Sequence, residues 1–122
     1  MIQKKCIRNI VCETYRAHTG VIFKKLEILK VPDLVKFNSL CFMYKYDRGN
    51  IPLSFEHFFT LFSRENRSKQ YILNVPLKKK LHSFPSYTLP KTWNNLSLNL
   101  KRISTFNTFK KHLKKDIFDS YN

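Results

Sequence analysis

Cys6, Cys12 and His18 recur every six residues, and each type can ligate a transition metal. Structural zinc sites use closer pairs such as Cys-x-x-Cys and need four ligands, so this set reads as packing and no metal or other cofactor is assigned. His18 lies in Tyr-Arg-Ala-His-Thr, where its ring nitrogens reach backbone groups, and it is expected to hydrogen-bond the break between the first two helices. The eight Asp and Glu residues are scattered singly, unlike the closely spaced carboxylates that hold two metal ions for nucleotidyl transfer. With Gly20 and Gly49 the only glycines, no Gly-rich phosphate loop can form. The four histidines give no spacing that would activate a serine or cysteine nucleophile. No catalytic residue is assigned, and the chemistry left is binding.

The chain carries 23 Lys and Arg against 8 Asp and Glu, a net charge of +15 over 122 residues. From Asn66 to Lys115 there is no carboxylate at all, so the cations of that half lack local partners. A polyanion is the economical partner, and nucleic acid is the commonest for a basic domain. The competing reading is a solvated face that keeps an aromatic-rich protein soluble. An anionic membrane ranks below both, because the sequence has no long apolar run and no cleavable leader. Candidate phosphate contacts are Lys78, Lys79, Lys80, Lys101, Arg102, Lys110, Lys111, Lys114 and Lys115. Most aromatic residues follow helical spacing and read as core, whereas Tyr71 and Tyr87 are the candidates for stacking on unpaired bases. Trp93 reads as a core anchor. Three cysteines without a secretory signal imply reduced, buried thiols in an intracellular protein.

The elements that must position these groups are mainly helical. Asp33 to Tyr46, DLVKFNSLCFMYKY, is apolar on nearly every side, with Pro32 at its start and Gly49 as a left-handed stop, so it is expected to be the buried centre of the fold. Ile2, Cys6, Ile7, Ile10 and Val11 mark an amphipathic helix over 3–14, and Ile22, Phe23 and Leu26 a short one over 21–29. Pro52 can open another, with Phe55, Phe58, Phe59 and Phe62 in the core. Residues 70–75 and 82–87 read as a short antiparallel ribbon around Lys78 to Lys80, although Pro85 falls inside the second strand. Pro90 is expected to start a helix burying Trp93, Leu96 and Leu100. Ser104 is expected to cap a last helix with the stripe Phe106, Phe109, Leu113, Ile117 inside and Lys111 and Lys115 outside. The expectation is thus one domain, 1–122, of mainly α class: a small helical body around a buried helix at about 33–47, plus a two-stranded β-ribbon at about 70–75 and 82–87.

The order of segments resembles the carboxy-terminal region of the reverse-transcriptase polyprotein of non-LTR retrotransposons of the jockey-like and chicken-repeat groups. The likeness runs through Gln3-Lys4-Lys5, Tyr15-Arg16-Ala17-His18-Thr19, Phe23-Lys24-Lys25-Leu26, Ile28-Leu29-Lys30-Val31, Asp33-Leu34 and Phe42-Met43-Tyr44-Lys45-Tyr46. It continues in Asn66-Arg67, Tyr87, Pro90-Lys91, Trp93-Asn94-Asn95-Leu96 and Phe109-Lys110-Lys111-His112-Leu113-Lys114, covering nearly the whole chain. Leu89, Thr92 and Ser97 stand where that family usually has Gly, Leu and Pro. The resemblance implies a C-terminal fragment, a truncated remnant lying beyond the polymerase thumb, with the endonuclease and polymerase centres upstream. It implies a non-enzymatic accessory segment that holds RNA or DNA through phosphates beside the upstream polymerase domains. The setting would be intracellular, in a nuclear or cytoplasmic ribonucleoprotein. A structural brace for the thumb without nucleic-acid affinity is the alternative.

Overall fold

A computed structural model describes residues 2–55, 59, 61–62, 72–73 and 84–121. The described part is mainly helical. Its elements are α1 (Ile2–Ile10), α2 (Thr19–Lys25), α3 (Val31–Asp47), a single 3-10 turn at Leu53–Phe55, β1 (Leu61–Phe62), β2 (Ile72–Leu73), α4 (Pro85–Asn94), α5 (Leu98–Lys101) and α6 (Phe106–Asp119). Helix α3 is the hub, packing on α4 and α6, while α1 pairs with α2.

The core is built from Leu40, Met43 and Tyr44 of α3, Ile22 and Phe23 of α2, Trp93 of α4, Leu100 of α5, and Phe109, Leu113 and Ile117 of α6. Phe109 is fully enclosed and stacks on Tyr44 at 4.4 Å between ring centroids. Offset aromatic pairs of this kind add to what area burial alone contributes. The stripe expected on the last helix is the one that is buried. Its first residue, Phe106, is partly covered, and Thr105 rather than Ser104 occupies the N-cap position.

The expected central helix is buried over its second half only. Val31, Leu34 and Val35 on its first two turns are 55%, 44% and 61% exposed. An apolar circumference calls for neighbours on every side, and among the described residues α4 and α6 pack on α3 while Val31, Leu34 and Val35 stay largely exposed. The first helix departs further. Ile7 is buried, but Ile2 and Ile10 are 81% and 67% exposed, and the thiols of Cys6 and Cys12 are exposed rather than buried. Helix α1 is short and packs chiefly on α2, so only a narrow stripe of it is covered.

The expected ribbon between 70–75 and 82–87 does not form. Residues 85–87 are the first turn of α4, and 82–83 lie outside the described residues. Pro85 decides this: it takes a first-turn position, where its missing N–H has no helical partner to lose, behind Phe84 in an extended conformation. Of the first segment, Ile72 and Leu73 are extended, but they pair antiparallel with Phe62 and Leu61. Pro90, expected to start a helix, lies inside α4 and is fully buried. The helix expected to carry Trp93, Leu96 and Leu100 together is interrupted, because Ser97 is extended and starts α5 anew. All three side chains still reach the core.

Candidate nucleic-acid interface

The first requirement of a charged site is that its cations are not already used. Several are. Arg8 donates from Nε and Nη2 to the Ala17 carbonyl at 3.3 and 3.2 Å, holding the break between α1 and α2. His18, expected to do this, sits at the N-cap position of α2, exposed and without a side-chain capping bond. Arg48 donates to the carbonyls of Ile103 at 2.6 Å and Lys101 at 3.2 Å and lies 4.4 Å over the Tyr44 ring. The Tyr44 hydroxyl donates to the same Ile103 carbonyl at 2.7 Å.

Lys101, one of the residues proposed for phosphate contact, is turned inward. Its Nζ donates to the Asn94 carbonyl at the end of α4 and lies 5.7 Å over the Trp93 ring. A cation at a helix C-terminus meets the negative end of the helix dipole. Burial pushes its ammonium below the usual lysine range, and Asp47 opposes that shift. Its neighbour Arg102 is exposed. Tyr87 is half-buried, with Lys91 donating to its hydroxyl at 3.2 Å and lying 5.1 Å from its ring centroid. Lys78, Lys79, Lys80 and Tyr71 lie outside the described residues.

The remaining candidates converge. Asn107, Lys110, Lys111 and Lys114 occupy one face of α6, as residues three and four apart on a helix must. They line a groove of about 500 Å³ whose apolar wall is Leu29, before α3, and Phe37 of α3. Lys110 and Lys114 hold their ammonium groups 5.0 Å from the Phe106 ring centroid and 5.4 Å from that of Phe118, cation–π contacts of partly exposed side chains. Lys45, one helical turn beyond Cys41, lies over Phe106 from the α3 side at 4.8 Å. Burial pushes the half-buried Cys41 thiol up, and the charges of Lys110 and Lys45 oppose it. Lys115 is exposed one turn beyond Lys111 and does not line the groove. Lys45 and Asn107 escaped the sequence reading because the former belongs to the apolar helix and the latter carries no charge.

Carboxylates sit at the edges of this region. Glu27 pairs with Lys114 at 3.7 Å, and Asp119 with Lys24 at 3.5 Å, both in exposed positions where an ion pair contributes little. A second cavity, about 350 Å³, lies on the other flank of α6 and mixes Lys36 and Lys91 with Asp116. A third, about 380 Å³, is lined by Ile2, Phe23, Val31 and Pro32, with Lys4 and Lys30 beside them. Among the described residues no three His, Cys, Asp or Glu side chains gather in a way that could hold a metal ion. Nor is any described helix long and apolar enough to cross a membrane.

Set against family models, curated proteins and solved structures, the chain matches none of them.

Proposed function

We propose that this chain is a non-catalytic nucleic-acid-binding segment, holding RNA or DNA through its phosphates on the lysine face of α6. The observation that carries the reading is the convergence of Lys110, Lys111 and Lys114 on one groove. Among the described residues, Glu27 is the one carboxylate in ion-pair contact with any of the three. Charge density of this kind binds phosphate irrespective of sequence, and the affinity falls as salt rises. The origin that accords with the segment order is the region after the polymerase thumb in a non-LTR retrotransposon reverse transcriptase, left as a truncated remnant. In an intact element its partners are the upstream polymerase domains, within a nuclear or cytoplasmic ribonucleoprotein. The chain alone performs no polymerisation, and a primer-extension assay on it should give no product. The deciding experiment is fluorescence anisotropy of labelled RNA and DNA with the purified chain at low salt. Binding that weakens with salt is expected, and no binding overturns the reading.

The exposed apolar residues Val31, Leu34 and Val35 favour a second reading, a protein-interaction module that braces the thumb. Val35→Glu, tested for association with a thumb segment, should abolish that association under this reading and leave oligonucleotide binding unchanged.

A further inference from the structure

We infer that the groove between α3 and α6 seats an unpaired nucleotide, its base against Phe37 and Leu29 and its phosphates on Lys110, Lys111 and Lys114. This rests on the nucleic-acid reading and goes further, because it specifies single-stranded over duplex ligand. A surface that reads only phosphates needs cations and nothing else. Here the lysines flank a partly exposed aromatic ring and a leucine in a concavity of about 500 Å³. Stacking a base on an aromatic side chain requires the base to leave its own duplex, so a lysine-flanked apolar slot favours strands whose bases are free. From Asn107 to Lys114 the helix advances about 10 Å, long enough to meet more than one phosphate of a strand. The Asn107 side chain, at one end of the face, offers a donor and an acceptor to a base edge. Lys114, at the other end, exchanges its exposed pairing with the Glu27 carboxylate for a phosphate at small cost.

The test uses the full chain and three labelled ligands of equal length: oligo-uridine, oligo-thymidine and an RNA duplex. Both single strands are expected to bind at least about fivefold tighter than the duplex, the lower end of what one base stack contributes. Phe37→Leu keeps an apolar side chain in the half-buried position and removes the ring. It should weaken single-strand binding by about fivefold or more while leaving duplex binding within about twofold. Lys111→Gln should weaken all three. In the unaltered chain, 5-iodouridine in the strand should photocrosslink to Phe37, a readout independent of how the variants fold. Equal affinity for single strand and duplex, or crosslinks that avoid α3, overturns the inference while leaving phosphate binding intact. So does poly-glutamate displacing the strand as well as unlabelled oligonucleotide does at equal charge, which would mark an acidic-peptide site. Absence of binding to every ligand at low salt sinks the broader reading instead.

Discussion

Tyr121, the penultimate residue, fastens the end of the chain to the start of its longest helix. Its ring is 4% exposed, lies edge-on to Phe23 and Phe118, and has the Lys30 ammonium 3.9 Å from its centroid. Its hydroxyl accepts the Lys30 backbone N–H at 2.9 Å and donates to the Asp33 carboxylate at 2.7 Å. Removing the hydroxyl leaves a partly buried N–H without an acceptor, so Tyr121→Phe should cost about 1–2 kcal/mol at neutral pH in urea unfolding. Identical midpoints would show the clamp to be idle. Burial pushes the phenol up to about 12, with the Lys30 N–H opposing and the hydrogen bond and charge of Asp33 adding. An unfolded tyrosine ionises near 10. The folded pKa is raised, so this contribution is fully present below about pH 10 and is lost as pH climbs towards 12. Tyrosinate absorbance should show a component titrating near pH 12, and Tyr121→Phe should remove it. Lys101, with its ammonium pushed down, changes stability in the opposite sense over the alkaline range. It is present in both proteins, so their difference isolates Tyr121.

Three helices stop in the same way. After α3, Asn50 N–H bonds the Lys45 carbonyl at 2.8 Å and Gly49 N–H bonds that of Tyr46 at 3.0 Å, with Gly49 at φ +66°. After α2 the same pair runs from Ile28 to Phe23 and from Glu27 to Lys24, and after α1 from Glu13 to Arg8 and from Cys12 to Asn9. Glu27 and Cys12 stand at φ +52° and +53°, where a side chain is strained. Cys12→Gly should therefore stabilise by roughly 0.5–1 kcal/mol, after allowing for the greater freedom of glycine in the unfolded chain. Gly49→Ala should destabilise by about 1 kcal/mol, a cost of backbone alone, because an added Cβ there meets no atom within 4 Å. Thermal midpoints moving the other way in either variant would refute this account of the stops. Gly49 was legible in the sequence because glycine announces a left-handed residue, while cysteine and glutamate do not. The stripe of the last helix was legible because four aromatic and aliphatic residues at helical spacing can bury only together. Phe84 and Tyr87 misled because aromatic residues suit a strand and a helix alike, whereas Pro85 between them already counted against a strand and takes the first turn of α4. The lysine face of α6 was half legible. Its charges were visible, but the Phe37 wall comes from a helix seventy residues earlier in the chain, roughly, and spacing cannot join the two.

Across the molecule, the +15 net charge resolves into cations with different tasks. Arg8, Arg48 and Lys101 satisfy backbone carbonyls, whereas Lys110 and Lys111 end at the rim of a groove. Pooling them as one phosphate-binding surface predicts that neutralising any of them weakens binding alike. The structure predicts a division. For a single strand each phosphate contact contributes about 0.7 to the slope of log affinity against log salt. Lys110→Gln with Lys111→Gln should flatten that slope by about 1.4 with little change in thermal midpoint, since among the described residues neither ammonium is hydrogen-bonded to a backbone carbonyl. Lys101→Gln should do the reverse. Losing the cation at the end of α4 lowers the thermal midpoint and leaves the salt slope as it was. Slopes and midpoints measured on the same preparations distinguish the two patterns. If Lys101→Gln flattens the slope as much as a groove lysine does, its side chain must swing out to meet phosphate, and the assignment of that cation to holding the fold together fails.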